Sequence, residues 1–170
     1  MNAVGIVQRR RPPIRVGLRI SVNLYKDVFD AVTGEHLRRE AVHNLVPTSG
    51  LNLIRDLIRG TAGVTCLNYF AIGTGTTAAA VGNTQLVTEV FRDVFTQTSV
   101  ANGQLTIKYY LASGSANGNT IVEAGLFGDD ATATANSGTL FARAVFIGDA
   151  KTSAEAWTFT WIVTIADDGV

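Results

Sequence analysis

The sequence predicts a mainly β fold: an antiparallel β-sandwich or jelly-roll-like body with one amphipathic helix, preceded by an extended N-terminal arm. Three observations predict it. Apolar and polar residues alternate along much of the chain, strand-like segments recur with no helical pattern between them after Phe95, and glycine, threonine and alanine crowd the connections. With 170 residues, 46% hydrophobic and 16% charged, the chain fits a single β-rich domain over residues 14–170 behind an arm of residues 1–13.

Each element follows from its residues. Residues 1–13 contain Arg9, Arg10 and Arg11, then Pro12-Pro13, whose missing amide donors and fixed φ favour extended backbone. From Ile14 the pattern becomes strict alternation. Ile14, Val16, Leu18, Ile20, Val22 and Leu24 share one face, and mainly Arg15, Gly17, Arg19, Ser21 and Asn23 share the other, as in a long half-buried strand. Thr33-Gly34, between segments 25–32 and 35–42, reads as a hairpin tip. Residues 49–59 form the one predicted helix, with Leu53, Ile54, Leu57 and Ile58 as its apolar stripe and Asn52, Arg55, Asp56 and Arg59 outside it. Thr48 or Ser49 is expected to accept from its first amides, and Gly60 to end it in the left-handed conformation. A strand over 67–72 and a loop over 73–83 come next. Segment 85–95 has two rows at four-residue spacing and admits a helical turn running into strand. Strands are then predicted over 105–111, 120–127, 139–147 and 157–165, the last with Trp157, Phe159, Trp161, Val163 and Ile165 on one face.

Charge and composition exclude several classes. No apolar run approaches the roughly 20 residues that cross a bilayer, so no membrane partner is expected. Met1 to Pro13 lacks the apolar segment of a secretory signal, which points to assembly in a cytosol. The formal charge is zero, but the first 26 residues, Lys26 included, carry six positive charges and no acid. The remainder carries eight positive against fourteen negative, so a basic arm, with Arg9, Arg10, Arg11, Pro12, Pro13 and Arg15 as its candidate binding residues, faces an acidic body. Such an arm suits an acidic neighbour, for instance another subunit. Nucleic acid is the sharper alternative for an arginine cluster, but the body offers no supporting basic patch.

Motifs for catalysis are sparse. Cys66 is the single cysteine, which rules out an intrachain disulfide and a multi-cysteine zinc site, and it reads as a buried structural thiol. His36 and His43 have no common ligand geometry in extended chain, and neither Asp129-Asp130 nor Asp167-Asp168 sits in a calcium-binding loop pattern. No metal or cofactor is expected. Gly73-Thr74-Gly75-Thr76-Thr77 lacks the Gly-Lys-Ser/Thr ending of a phosphate loop and reads as a glycine-dependent turn. Glu123 interrupts the apolar run from Ile121 to Phe127, so it needs a partner; Arg143 in a later strand, or Arg92, is proposed. No second acid is placed to share acid–base work with it, so no catalytic residue is assigned and the chain is expected not to be an enzyme.

The order of four segments carries a resemblance. Tyr69-Phe70-Ala71-Ile72-Gly73-Thr74-Gly75 is followed by Gln85-Leu86-Val87-Thr88-Glu89-Val90-Phe91-Arg92. Then come Ile121-Val122-Glu123-Ala124-Gly125-Leu126-Phe127 and Thr139-Leu140-Phe141-Ala142-Arg143. Over about residues 25–165 this resembles a family of tailed-phage virion structural proteins that includes the attachment-end domains of tail fibres. The resemblance implies a docking or shell-forming module without catalysis, with Glu89, Arg92, Glu123 and Arg143 as its structural polar framework. It implies location in the virion, and as partners copies of itself, with a trimer favoured, together with other virion proteins. A tail, baseplate or fibre-adaptor component is the first reading, and a head decoration protein is the alternative. Many relatives continue into a receptor-binding fibre, whereas this sequence stops soon after Ile165, so receptor binding by this chain alone is not expected. A glycan-binding module is a third reading, opposed by the inward face predicted for Trp157 and Trp161.

Overall fold

Alternation of side chains decides the first strand and, through its partners, most of the molecule. The structure is a computed structural model that describes residues 17–167. The proposed arm, including Arg9, Arg10, Arg11, Pro12, Pro13 and Arg15, lies outside the described residues, as do Ile14, Val16 and Asp168. The elements are β1 (Leu18–Asp30), β2 (His36–Val42), β3 (Asn44–Leu45), α1 (Thr48–Arg59), β4 (Leu67–Gly73), β5 (Glu89–Val94) and β6 (Gln97–Ala101), then β7 (Gln104–Leu111), β8 (Thr120–Gly128), β9 (Thr139–Ala150) and β10 (Glu155–Asp167). They form two antiparallel five-stranded sheets, ordered β2-β1-β10-β7-β6 and β3-β9-β8-β4-β5.

β1 runs without interruption through the point where the sequence suggested a second segment, because β10 pairs with it along its whole length, from Leu18 opposite Asp167 to Asp30 opposite Glu155. The hairpin tip falls where expected. Asp30 Oδ1 accepts the amides of Val32 (2.9 Å) and Thr33 (2.7 Å) and so turns the chain into β2. Val22, Leu24 and Val28 point inward and are buried. Lys26 shares their face and is 1% exposed, so a residue counted with the basic N-terminal region belongs to the interior. Trp157, Phe159 and Trp161 of β10 face the second sheet, where Phe70 packs between Phe159 (centroids 4.8 Å apart) and Tyr109 (4.7 Å, stacked). Each such side chain contributes about 1.5–3 kcal/mol by leaving water.

The helix begins after Pro47 without a side-chain cap, contrary to the expectation for Thr48 or Ser49. Ser49 Oγ instead donates to the carbonyl of Leu140 (2.7 Å) on β9, tying the helix to the second sheet. Gly60 does end it, at φ 68°, its amide reaching the Leu57 carbonyl. Of the predicted stripe only Leu53 is buried; Ile54 is half-buried, and Leu57 and Ile58 are exposed. Segment 85–95 contains no helical turn, only β5. β3 and β6 were not anticipated, since their sequences carry too few large apolar residues to show a period.

Outside the second sheet lies a further layer. Connections 74–88 and 129–138 cover its outer face, where Ala71, Leu86, Phe127, Ala131 and Leu140 form a small second core. β8 is thereby buried on both faces, which explains its nearly continuous apolar run.

Candidate functional site

The resemblance-bearing segments meet on this covered face. Glu123 on β8 and Arg143 on β9 are both 0% exposed and lie diagonally across the strand pair, Gly125 standing opposite Arg143. Arg143 reaches Glu123 Oε2 through Nε (2.9 Å) and Nη2 (2.8 Å). Its Nη2 also donates to the Thr77 carbonyl (2.8 Å), and Nη1 to the Ala78 carbonyl (3.3 Å) and Asn83 Oδ1 (3.1 Å). Glu123 in turn accepts the amides of Gly75 (3.0 Å), Val87 (3.1 Å) and Thr88 (2.8 Å). A buried pair of charges is tolerable only when its remaining donors and lone pairs are engaged, and here connection 74–88 is folded around the pair to engage them. Close approach explains the glycines. A Cβ on Gly73 would stand 2.3 Å from the Thr88 carbonyl oxygen and 2.6 Å from Glu123 Oε1, and one on Gly75 would stand 2.5 Å from the same carboxylate oxygen.

Glu89 and Arg92 form a second pair, separate from the first. Their side chains are each 2% exposed, and the contact is bidentate, Nε to Oε1 at 2.7 Å and Nη2 to Oε2 at 2.9 Å. The Arg92 guanidinium lies 4.1 Å from the Phe127 ring centroid and donates to the Ser137 carbonyl (2.9 Å), while Glu89 accepts the Asn136 amide (3.0 Å). This pair holds connection 129–138 as the first holds 74–88. Of the two partners considered for Glu123, Arg143 is the one that reaches it. Leu86 and Leu140, the leucines of the same segments, are 0% exposed in the small core between the pairs.

Sequence reasoning missed a third polar cluster at the far end of the sandwich. Lys26 Nζ sits between the rings of Trp157 (4.8 Å) and Phe146 (5.0 Å) and contacts Glu40 (2.7 Å) and Asp149 (3.0 Å). Arg38 joins Asp149 (2.6 Å) to Glu155 (2.8 Å). Burial works to raise the Asp149 carboxyl, but the hydrogen bonds from Arg38 and Lys26 outweigh it and leave it below the usual range. The Arg38 hydrogen bond likewise holds Glu155 low, against burial and helped by the Trp157 indole. Lys151, 1% exposed, donates to the carbonyls of Ser113 (3.2 Å) and Thr152 (2.8 Å) and to Asn117 Oδ1 (3.1 Å), and burial lowers its ammonium. The strand alternation placing Lys26 inward was the available signal.

The remaining candidates stand apart from these clusters. His36 Nε2 lies 2.8 Å from Asp27 Oδ1, and His43 is exposed. Among the described residues no group of three or more His, Cys, Asp or Glu side chains is placed to hold a metal ion. No helix among them is long and apolar enough to cross a membrane. Trp157 and Trp161 are both 0% exposed. Cys66, expected to be buried, is exposed, because it belongs to the turn region after α1 and not to a strand interior. It borders an apolar cleft of about 460 Å³ between the helix and the open end of the sandwich, with Leu53, Leu57, Leu105 and Ile165 in its walls. No protein-family model matches this sequence, and neither a curated protein nor a solved structure matches it.

Proposed function

We propose that the chain is a non-enzymatic structural component of a tailed-phage virion, a tail, baseplate or fibre-adaptor protein that assembles with copies of itself and with neighbouring virion proteins. One observation supports this reading above the others: the four segments bearing the resemblance, on or beside β4, β5, β8 and β9, converge on one face of the second sheet. Gly73, Gly75, Leu86, Glu89, Arg92, Glu123, Leu140 and Arg143 there form a continuous framework of small core and two ion pairs. The charged groups of the framework are engaged in holding two long connections against the sheet, which gives the molecule shaped, stiff surfaces for packing. The basic arm, opposite in charge to the body, anchors the subunit in an acidic neighbour. Assembly takes place in the host cytoplasm and the product is the virion.

Quantification of this chain against the major capsid protein in purified virions by mass spectrometry tests the reading. A few to a few dozen copies per particle are expected for a tail component. Near-stoichiometric abundance would move the protein to the head as a decoration protein, and absence from particles would overturn the virion assignment. Deletion of residues 1–13 is expected to leave a folded body that no longer joins particles; normal incorporation would remove the arm from the proposal.

A further inference from the structure

The first sheet ends in two unlike edges. β2 carries His36, Arg38, Arg39 and Glu40, and charged side chains of this kind keep an edge strand from pairing with other chains. β6 reads Gln97-Thr98-Ser99-Val100-Ala101, with no charge, no proline and an unbroken register against β7, and all its residues are exposed. Residues 96–107 as a whole carry no charge.

The geometry of this hairpin says which groups are unused. Asn102 and Gly103 both have positive φ (48° and 75°), the two-residue turn that closes on a hydrogen-bonded pair, here Ala101 and Gln104. Hydrogen-bonded and non-hydrogen-bonded pairs alternate from there, so Ser99 turns its N–H and C=O toward β7 while Thr98 and Val100 turn theirs outward. Their side chains share the inner face with their register partners Ile107 and Leu105. Val100 is nevertheless 80% exposed, beside Leu105, Val163 and Ile165, in a hollow that shares these wall residues with the apolar cleft.

We infer that β6 pairs with β6 of a second copy of this chain, antiparallel about a two-fold axis at Ser99, joining the first sheets of the two copies into one. The axis sets Thr98 opposite the partner's Val100 on both sides, so the outward N–H and C=O groups of each strand meet their complements in the other. The same symmetry lays each exposed Val100 beside the Thr98 that lines the other copy's cleft. A copy is the occupant because an identical strand matches this edge in length and in hydrogen-bond phase, and because β6 and its turn carry no charge, so no like charges meet where the two edge strands pair. The contact deepens the self-assembly in the proposed function but does not rest on a place in the virion; a trimer would be built through other surfaces.

The test uses the purified full chain. Light scattering across a concentration series is expected to show a dimer, and Val100→Lys to weaken it at least tenfold while leaving the fold, followed by circular dichroism, unchanged. In a Cys66→Ala background, Ser99→Cys is expected to give a disulfide-linked dimer on oxidation. The two Ser99 residues form a non-hydrogen-bonded pair with Cα atoms about 4.5 Å apart, within disulfide reach. Thr106→Cys in the same background, one strand further from the axis, is expected not to cross-link. A monomer at every concentration would overturn the inference, as would a dimer unaffected by Val100→Lys or not cross-linked through Ser99→Cys. Slow exchange of the Thr98 and Val100 amides in a monomer would assign the edge to another part of the same chain and overturn it too. Particle composition is a separate measurement, so failure here leaves the virion reading standing and the converse also holds.

Discussion

At the scale of single residues, the two ion pairs differ from surface salt bridges because the backbone depends on them. Glu123 collects three amides from connection 74–88, and Arg143 holds the carbonyls of Thr77 and Ala78 from the same connection. Glu123→Ala strands a buried guanidinium, so a loss of about 3–5 kcal/mol is expected in denaturant unfolding. Hydrogen exchange should locate the damage: faster exchange at Gly75, Val87 and Thr88, with Asn136 little changed. Arg92→Ala should give the converse, speeding Asn136 through loss of the partner that positions Glu89, with the additional loss of the contact on Phe127. If both variants loosen the same connection equally, the pairs do not act as separate clamps.

At the scale of elements, α1 shows how packing divides residues that a helical wheel treats alike. Its contact with β9 is made close by Gly50, where a Cβ would lie 2.2 Å from the Phe141 carbonyl oxygen, and by Leu53, 3% exposed. Ile58 lies on the predicted stripe but is 78% exposed. Thermal or urea unfolding should therefore separate three substitutions. Leu53→Ala is expected to cost about 2–5 kcal/mol, and Gly50→Ala about 1–3 kcal/mol because backbone atoms must move. Ile58→Ala should stay within about 0.5 kcal/mol. An Ile58→Ala cost equal to that of Leu53→Ala would mean that the outer half of the stripe is covered in solution.

At the scale of the whole molecule, the cluster of Lys26, Arg38, Asp149 and Glu155 ties β1 and β2 of the first sheet to β9 of the second, and makes stability depend on pH. The folded carboxyls of Asp149 and Glu155 titrate below their unfolded values, so the unfolded state binds more protons as the medium becomes acidic. Their contribution is present above the unfolded values of about 3.9 and 4.3 and is lost as pH falls through the lower folded values. The melting temperature should fall in that range, and Arg38→Ala should flatten the fall; an unchanged acid limb would show that the cluster does not couple the sheets. The effect is moderated by solvent, since Arg38 is 42% exposed. Lys151 acts at the other end of the scale. Burial lowers its pKa, so folding gains stability as pH rises from the folded value toward the unfolded one near 10.4.

By itself the sequence determined where most of the longer strands and their turns occur, because a two-residue period and a turn residue such as Gly34 or Gly60 are local properties of the chain. It also indicated that Glu123 needs a partner, since a carboxylate buried within an apolar run must be paired or hydrogen-bonded. The tertiary structure alone decided which apolar positions are covered. Leu57 and Ile58 have the pattern of core residues but are not covered by any of the described residues, whereas Lys26 continues an apolar face and is enclosed by Trp157 and Phe146. Cys66 is exposed for the same reason, and β6 exists because β7 lies beside it, not because of its own pattern. Burial and edge pairing depend on what the fold brings opposite a residue, and that information is distributed over segments a hundred residues apart, as Lys26 and Asp149 are (|i−j| = 123).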